Sequence, residues 1–332
     1  MISAASAVSR VLAAPAVKKR VRSINRLMLL SNPFESELFL PTAYRLAALL
    51  GLGLLVILIR GRRRLRHLKE DVLFVRWRTW AVIAPTYLLA VLGGQITTAV
   101  LFTLLGFQAL REYADLVRLP IKYRAVLLAF GLLPAPVALL ELNAFYLLPP
   151  LLLIVATLQP LAFGNVRQGV RHLAFAAMGW AYIAWFLAHS VLIHKWVEDG
   201  PGILLAVGTA VAASDVGAFV VGKTFGKHRI GPRVSPNKTY EGACGNFLGA
   251  YLGIGLLYFA LPDETLVLLV VVLPALIALG ALWGDFVESV IKREFGVKDA
   301  GTWLPGFGGL LDRIDSLIMV APLVYYFLRL IE

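Results

Sequence analysis

The sequence predicts an all-α polytopic membrane protein of about ten transmembrane helices with functional loops on the cytoplasmic side, on three observations. Of the 332 residues, 59% are hydrophobic and only 16% charged, at a mean hydropathy of +0.78, which is not the composition of a soluble domain. Apolar stretches long enough to cross a bilayer as helix fall near 42–59, 79–93, 95–110, 124–140, 143–163, 172–194, 202–222, 242–261, 265–284 and 312–331. Finally, Lys and Arg are concentrated in alternate loops. Residues 60–78 carry eight, 111–124 four, 164–171 two, 223–238 five and 292–313 four, against Lys195 and Arg329 on the other side. Because basic residues stay cytoplasmic, these five loops are expected there.

Three regions follow in order. Residues 1–41 form a basic segment in which Arg10, Lys18, Lys19, Arg20, Arg22 and Arg26 precede the first acid, Glu35, as in an amphipathic interfacial helix or a targeting segment. Residues 42–200 read as a transmembrane scaffold. Only Gly93 and Gly94 separate its second and third apolar stretches, so a broken or re-entrant hairpin is the alternative there. Residues 201–332 form the region expected to carry chemistry: Asp215 lies inside an apolar stretch, and GACGNFLGAYLGIG at 242–255 has the glycine spacing of close helix packing. The single cysteine, Cys244, excludes an intrachain disulfide and reads as packing among small residues; no zinc-ligand spacing is present. The net charge of +12 is accounted for by cytoplasmic loops facing anionic headgroups, so no nucleic-acid partner is expected.

The densest polar stretch is 284–316, GDFVESVIKREFGVKDAGTWLPGFGGLLDRIDS, with six acidic and four basic side chains between apolar segments. Charges beside a bilayer core are costly and mark function. Asp285, Glu288, Ser289 and Lys292 fall on one helical stripe, and Asp312, Asp315 and Ser316 repeat the geometry. Two carboxylate-bearing helix ends joined by a Gly/Pro loop can hold a hard cation against phosphates. For a lone Asp the bland reading is a helix-end charge at the membrane surface; the paired arrangement argues against it. Asp315 and Glu288 are open between ligand, orienting acceptor, and ion-pair partner of Arg313 and Lys292. In the loop 222–242, Ser235, Lys238 and Thr239 sit among turn residues that free backbone donors for phosphate.

At these residues the chain resembles a known family. Ser289, Lys292, Arg293, Lys298, Asp299, Gly301, Leu304, Pro305, Gly306, Gly308, Gly309, Asp312, Arg313 and Asp315 are similar to the signature of the phosphatidate cytidylyltransferases, the CDP-diacylglycerol synthases: S-x-x-K-R, K-D, P-G-H-G-G, D-R-x-D. Asp215, Gly217, Gly222, Phe225, Gly226 and Lys227, then Ser235, Pro236, Lys238, Thr239, Glu241 and Gly242, resemble a second block. The likeness covers roughly the last third of the chain. One position departs: the usual His of the PGHGG loop is Phe307, which removes a hydrogen-bonding side chain.

The resemblance implies transfer of a cytidylyl group from CTP to phosphatidate, giving CDP-diacylglycerol and diphosphate in phospholipid biosynthesis. It implies catalytic roles for Asp285, Asp312, Lys292, Arg293, Lys298 and Arg313, substrate binding by Ser235, Lys238, Thr239, Ser289, Asp215 and Lys227, and one or two Mg2+ ions on Asp285, Asp312 and Asp315. Expected partners are CTP, phosphatidate or a similar lipid phosphate, membrane lipids and a second copy of the chain. The expected location is the bacterial inner membrane, an organelle membrane being the alternative. The lipid phosphate is already anionic near pH 7, so positioning and charge neutralisation suffice without an obligatory general base. The rival readings are a CTP-dependent enzyme acting on another lipid phosphate or alcohol, a catalytically silent homologue suggested by Phe307, and a transporter suggested by Asp215.

Overall fold

A computed structural model describes residues 29–61, 71–164, 167–231, 234–263 and 266–331. The basic segment before residue 29, on which the interfacial-helix expectation rests, lies outside the described residues, as do residues 62–70, which carry five of the eight cations of the 60–78 loop. The helices are α1 (Phe39–Gly61), α2 (Val72–Leu92), α3 (Gln95–Leu116), α4 (Ile121–Gly131), α5 (Pro134–Leu140), α6 (Leu142–Thr157), α7 (Gly169–Gly179), α8 (Phe186–Trp196), α9 (Gly200–Phe225), α10 (Tyr240–Leu256), α11 (Leu266–Glu294) and α12 (Leu311–Ile331). A π-helical turn, Trp180–Trp185, joins α7 to α8. Among the described residues no strand forms; Arg229 and Thr239, and Leu304 and Gly308, make isolated bridges.

Helix occupies every apolar stretch named above, yet seven segments are long and apolar enough to cross a membrane: α1, α4 with α5, α6 with the turn after it, α7 with α8, α9, α11 and α12. The other three are weakened by composition or length. Charges occupy the first turns of α2 (Arg76, Arg78) and the last turns of α3 (Arg111, Glu112, Asp115), and α10 has only 17 residues. Between α2 and α3 the chain turns at Gly94, whose φ of +108° suits glycine, against the backbone of Leu29–Ser31. The chain is an integral membrane protein, and its outward faces carry the exposed apolar side chains such a protein shows to lipid, Leu52, Leu55 and Ile59 on α1 among them.

Two close helix pairs position the polar region. On α10, Gly242, Gly245, Gly249 and Gly253 lie against α9: a Cβ on Gly245 would sit 2.4 Å from the Gly217 carbonyl oxygen, and one on Gly249 2.2 Å from that of Ala213. This small-residue seam lays the loop between α9 and α10 back over the end of α11. Cys244 is off the seam and exposed, which corrects the reading of it as a packing residue: consecutive positions on a helix point about 100° apart. On α11, a Cβ at Gly284 would meet the Asp315 carbonyl oxygen at 2.3 Å, so α12 crosses α11 at their acidic turns.

Gly249→Val should force α9 and α10 apart, because the obstruction is backbone and cannot rotate away. Overpacking of this kind costs about 1–3 kcal/mol, so thermal unfolding in detergent should show a lowered midpoint. Gly255→Ala, on the same helix but with open space around it, should leave the midpoint unchanged or raise it. Equal effects of the two would refute the seam.

Candidate active site

The residues of the two sequence blocks meet at one end of the bundle, where α9 ends and α12 begins. Lys292 on α11 is the central cation: Nζ lies 2.6 Å from Glu288 Oε2, one turn back on its own helix, and 2.7 Å from Asp312 Oδ1 on α12. The other oxygen of Asp312 accepts the backbone N–H groups of Ala300 and Gly309, both at 2.9 Å. Asp312 is therefore saturated by one ammonium and two amides in a buried setting.

A second group lies beside it. Asp285 comes from α11, Asp315 from α12 and Asp215 from α9. The Asp315 side chain meets that of Asp285, and Asp215 is within Coulombic range of both. Ser316 Oγ donates to Asp215 at 3.3 Å, a second potential acceptor being the Ala281 carbonyl at 3.4 Å. Lys238 Nζ lies 2.8 Å from Asp285 Oδ2 as an ion pair bent out of hydrogen-bond geometry, and 4.3 Å from the centroid of the Phe286 ring. Its ammonium is buried, and the Asp285 carboxylate is its charge partner.

The remaining expected residues are distributed around this centre. Thr239 caps α10, accepting the Gly242 N–H at 3.1 Å, so that this oxygen is already committed. Arg293 ties the two blocks together, donating from Nε to the Val234 carbonyl and from Nη1 to that of Val297, both at 3.3 Å. The side chain of Lys227 is exposed, and its backbone N–H donates to Glu241, which also pairs with His228 Nδ1 at 2.6 Å. Lys298 and Asp299 line an open cavity of about 460 Å³ with Gly301, Thr302 and Leu304. Ser235 stands in the turn after Gly231, its N–H donating to the Gly231 carbonyl, and Ser289 is half-buried on α11. Arg313 is exposed, within Coulombic range of Asp215.

Two residues of the scaffold enter the site without any motif to announce them. Glu112, buried near the end of α3, accepts the Leu311 N–H at 2.8 Å and the Gln108 amide at 3.0 Å, so it caps α12 from another helix. A Cβ on Gly309 would lie 2.6 Å from Glu112 Oε2, which is why glycine is needed there. Tyr182, from the π-helical turn, donates its hydroxyl to the Gly284 carbonyl at 3.3 Å and lies within Coulombic range of Asp285, Glu288 and Asp315. The available signal was an ionisable residue at a predicted helix end for Glu112, and nothing for Tyr182, because a π turn shifts register without a mark in apolar periodicity.

No three Asp, Glu, His or Cys side chains among the described residues are drawn together tightly enough to cage an ion on their own. The donor set still suits magnesium, which keeps several waters and takes one or two carboxylates plus substrate phosphates. Within the cluster, Asp215, Asp285, Glu288, Asp312 and Asp315 face Lys238, Lys292 and Arg313. With all of them ionised, these five acids and three cations leave a deficit of two positive charges.

Comparison with known proteins agrees with this geometry. A profile of the cytidylyltransferase family matches residues 74–331. The chain is 33% identical over 283 residues to the uncharacterized protein YnbB of Escherichia coli K12, covering 80% of this chain and 90% of that protein. It is 32% identical over 267 residues to the phosphatidate cytidylyltransferase of Bacillus subtilis 168, covering 76% and 96%, and 33% identical over 255 residues to that of Staphylococcus haemolyticus, covering 74% and 95%. A match that runs from the third residue of α2 to the end of α12 takes in scaffold and signature alike, and the chain belongs to the cytidylyltransferase family.

Proposed function

We propose that the chain is a phosphatidate cytidylyltransferase, converting CTP and phosphatidate to CDP-diacylglycerol and diphosphate in phospholipid biosynthesis. The observation that carries this is the gathering of the Asp215, Asp285 and Asp315 carboxylates around a Lys238 ammonium already paired with Asp285 at 2.8 Å. Such a site calls for an anionic ligand that arrives with its own cation, as a nucleotide triphosphate does.

In this reading Asp285 and Asp315 hold Mg2+, with Asp215 nearby to orient its waters, and the Ser235–Thr239 turn with Lys238 receives the nucleotide phosphates. Bound magnesium supplies charge neutralisation between nucleotide and lipid phosphates. Lys238 and Arg313 offset negative charge at the α-phosphorus as the lipid phosphate oxygen attacks and diphosphate leaves in line. Lys292, locked by Glu288 and Asp312, holds α11 and α12 in register so that the carboxylates converge. Asp312, with its oxygens on Lys292 and two amides, fits an orienting role in this arrangement; it ligates a cation only by exchanging one of those partners. About ten spans, with the cation-rich loops and the site on the cytoplasmic side of a bacterial inner membrane, remain part of the proposal, since CTP is available there.

Purified protein in detergent, given labelled CTP, phosphatidate and Mg2+, should yield a lipid-soluble cytidine product. Asp285→Asn should cut turnover by about two orders of magnitude or more, the scale seen when one preorganised electrostatic partner is lost, with the unfolding midpoint retained. Chelation by EDTA should stop the reaction and added Mg2+ restore it; full turnover by the variant or in EDTA would remove the metal role. Glu112→Gln keeps one oxygen acceptor but loses the charge at the α12 N-terminus. It should lower kcat several-fold while Glu112→Ala abolishes it, and indifference of kcat to both would make the cap dispensable. For topology, Thr302→Cys in a Cys244→Ser background should react with an impermeant maleimide only when the cytoplasmic face is exposed.

A further inference from the structure

The Phe307 ring, where the family motif has histidine, is not an idle filler. Two guanidinium groups lie against it: Arg76 Cζ is 5.3 Å from its centroid and Arg313 Cζ 5.2 Å, both within the range of cation–π attraction. Arg313 belongs to the D-R-x-D motif, but Arg76 comes from the first turns of α2, 230 positions away from the loop it joins. It is held there by its Nε, which donates to the Gly306 carbonyl at 2.9 Å, while Thr79 Oγ1 donates to the Pro305 carbonyl at 3.2 Å. Gly306 and Gly308, at φ +76° and +88°, flank Phe307 and turn the loop tightly at the position where both cations meet the ring.

The terminal nitrogens of Arg76 and the whole guanidinium of Arg313 have no hydrogen-bond acceptor or ion-pair partner among the described residues. Two guanidinium groups pinned to one ring, with unused donors, suit a phosphate. Position selects which phosphate. Around Arg76, α2 presents Val72, Leu73, Trp80 and Val82 outward, and Trp303 of the loop is also exposed, an apolar face along which acyl chains can lie. Lys238, assigned above to the nucleotide, pairs instead with Asp285 on α11.

We propose that Arg76 binds the phosphate monoester of the lipid substrate together with Arg313, and that Phe307 is the positioning residue that holds the two guanidinium groups for it. This rests on the cytidylyltransferase reading for the identity of the lipid, but the binding test does not depend on turnover. The phenyl ring carries no proton to exchange, so the platform stays in one charge state where a histidine would titrate.

The test is equilibrium binding of dihexanoyl phosphatidate to the full chain in detergent, by calorimetry, alongside CTP with Mg2+ and inorganic phosphate. Arg76→Ala and Phe307→Leu should each weaken phosphatidate binding about tenfold or more, the loss of one charge-assisted contact, and leave CTP affinity unchanged. Phe307→Tyr, which keeps the ring, should stay within about twofold of the native affinity. In turnover, the first two variants should raise KM for phosphatidate and leave KM for CTP alone. Unfolding midpoints equal to native separate this from misfolding. Unchanged phosphatidate affinity in Arg76→Ala, or weakened CTP binding in its place, overturns the proposal, and so does inorganic phosphate binding as tightly as the lipid. If the affinities shift as expected while native protein forms no lipid-linked cytidine, the platform stands and the reaction assigned above falls.

Discussion

The bridge from Lys292 to Glu288 and Asp312 is the interaction on which the polar end of the molecule depends. One ammonium spans α11 and α12 at 2.6 and 2.7 Å, in surroundings where removing it would leave two buried carboxylates without a cation. Asp312 can take that ammonium and still accept the Ala300 and Gly309 amides because glycine at 309 lets the loop backbone approach. Register between the helices, the path of the 300–309 loop and the convergence of Asp285 with Asp315 are thus fixed by one pairing. The Gly284 contact with the Asp315 carbonyl makes the distance short enough for it.

Much of this was legible in the sequence, because the features that matter there are the ones lipid penalises. Charge inside or beside an apolar run stands out, so Asp215, Asp285, Lys292 and Asp312 could be picked without a structure, and their spacing placed them on common stripes. The apolar stretches predicted where helices form; of the about ten crossings expected from them, seven segments have the length and hydropathy to span, since a charged end turn on α2 or α3 can sit within the bundle or at its edge. Thr239 was expected at phosphate and is a helix cap, a use of Ser and Thr that sequence spacing supports equally well. Glu112 and Tyr182 were missed for a different reason: each acts across the fold, on Leu311 and on Gly284, and pairing between distant helices leaves no periodic trace in one chain.

Phe307 shows how a departure from a motif is misjudged when read position by position. Taken alone, phenylalanine for histidine subtracts a donor and an acceptor from a phosphate site. In place, the ring lies within cation–π range of both Arg76 and Arg313, so that in the proposed platform two cations offset what is lost in direct hydrogen bonding. The substitution and the arginine on α2 make sense only together. In the proposed platform it is the tertiary contact between α2 and the signature loop, Arg76 Nε on the Gly306 carbonyl, that brings a scaffold helix to the lipid phosphate.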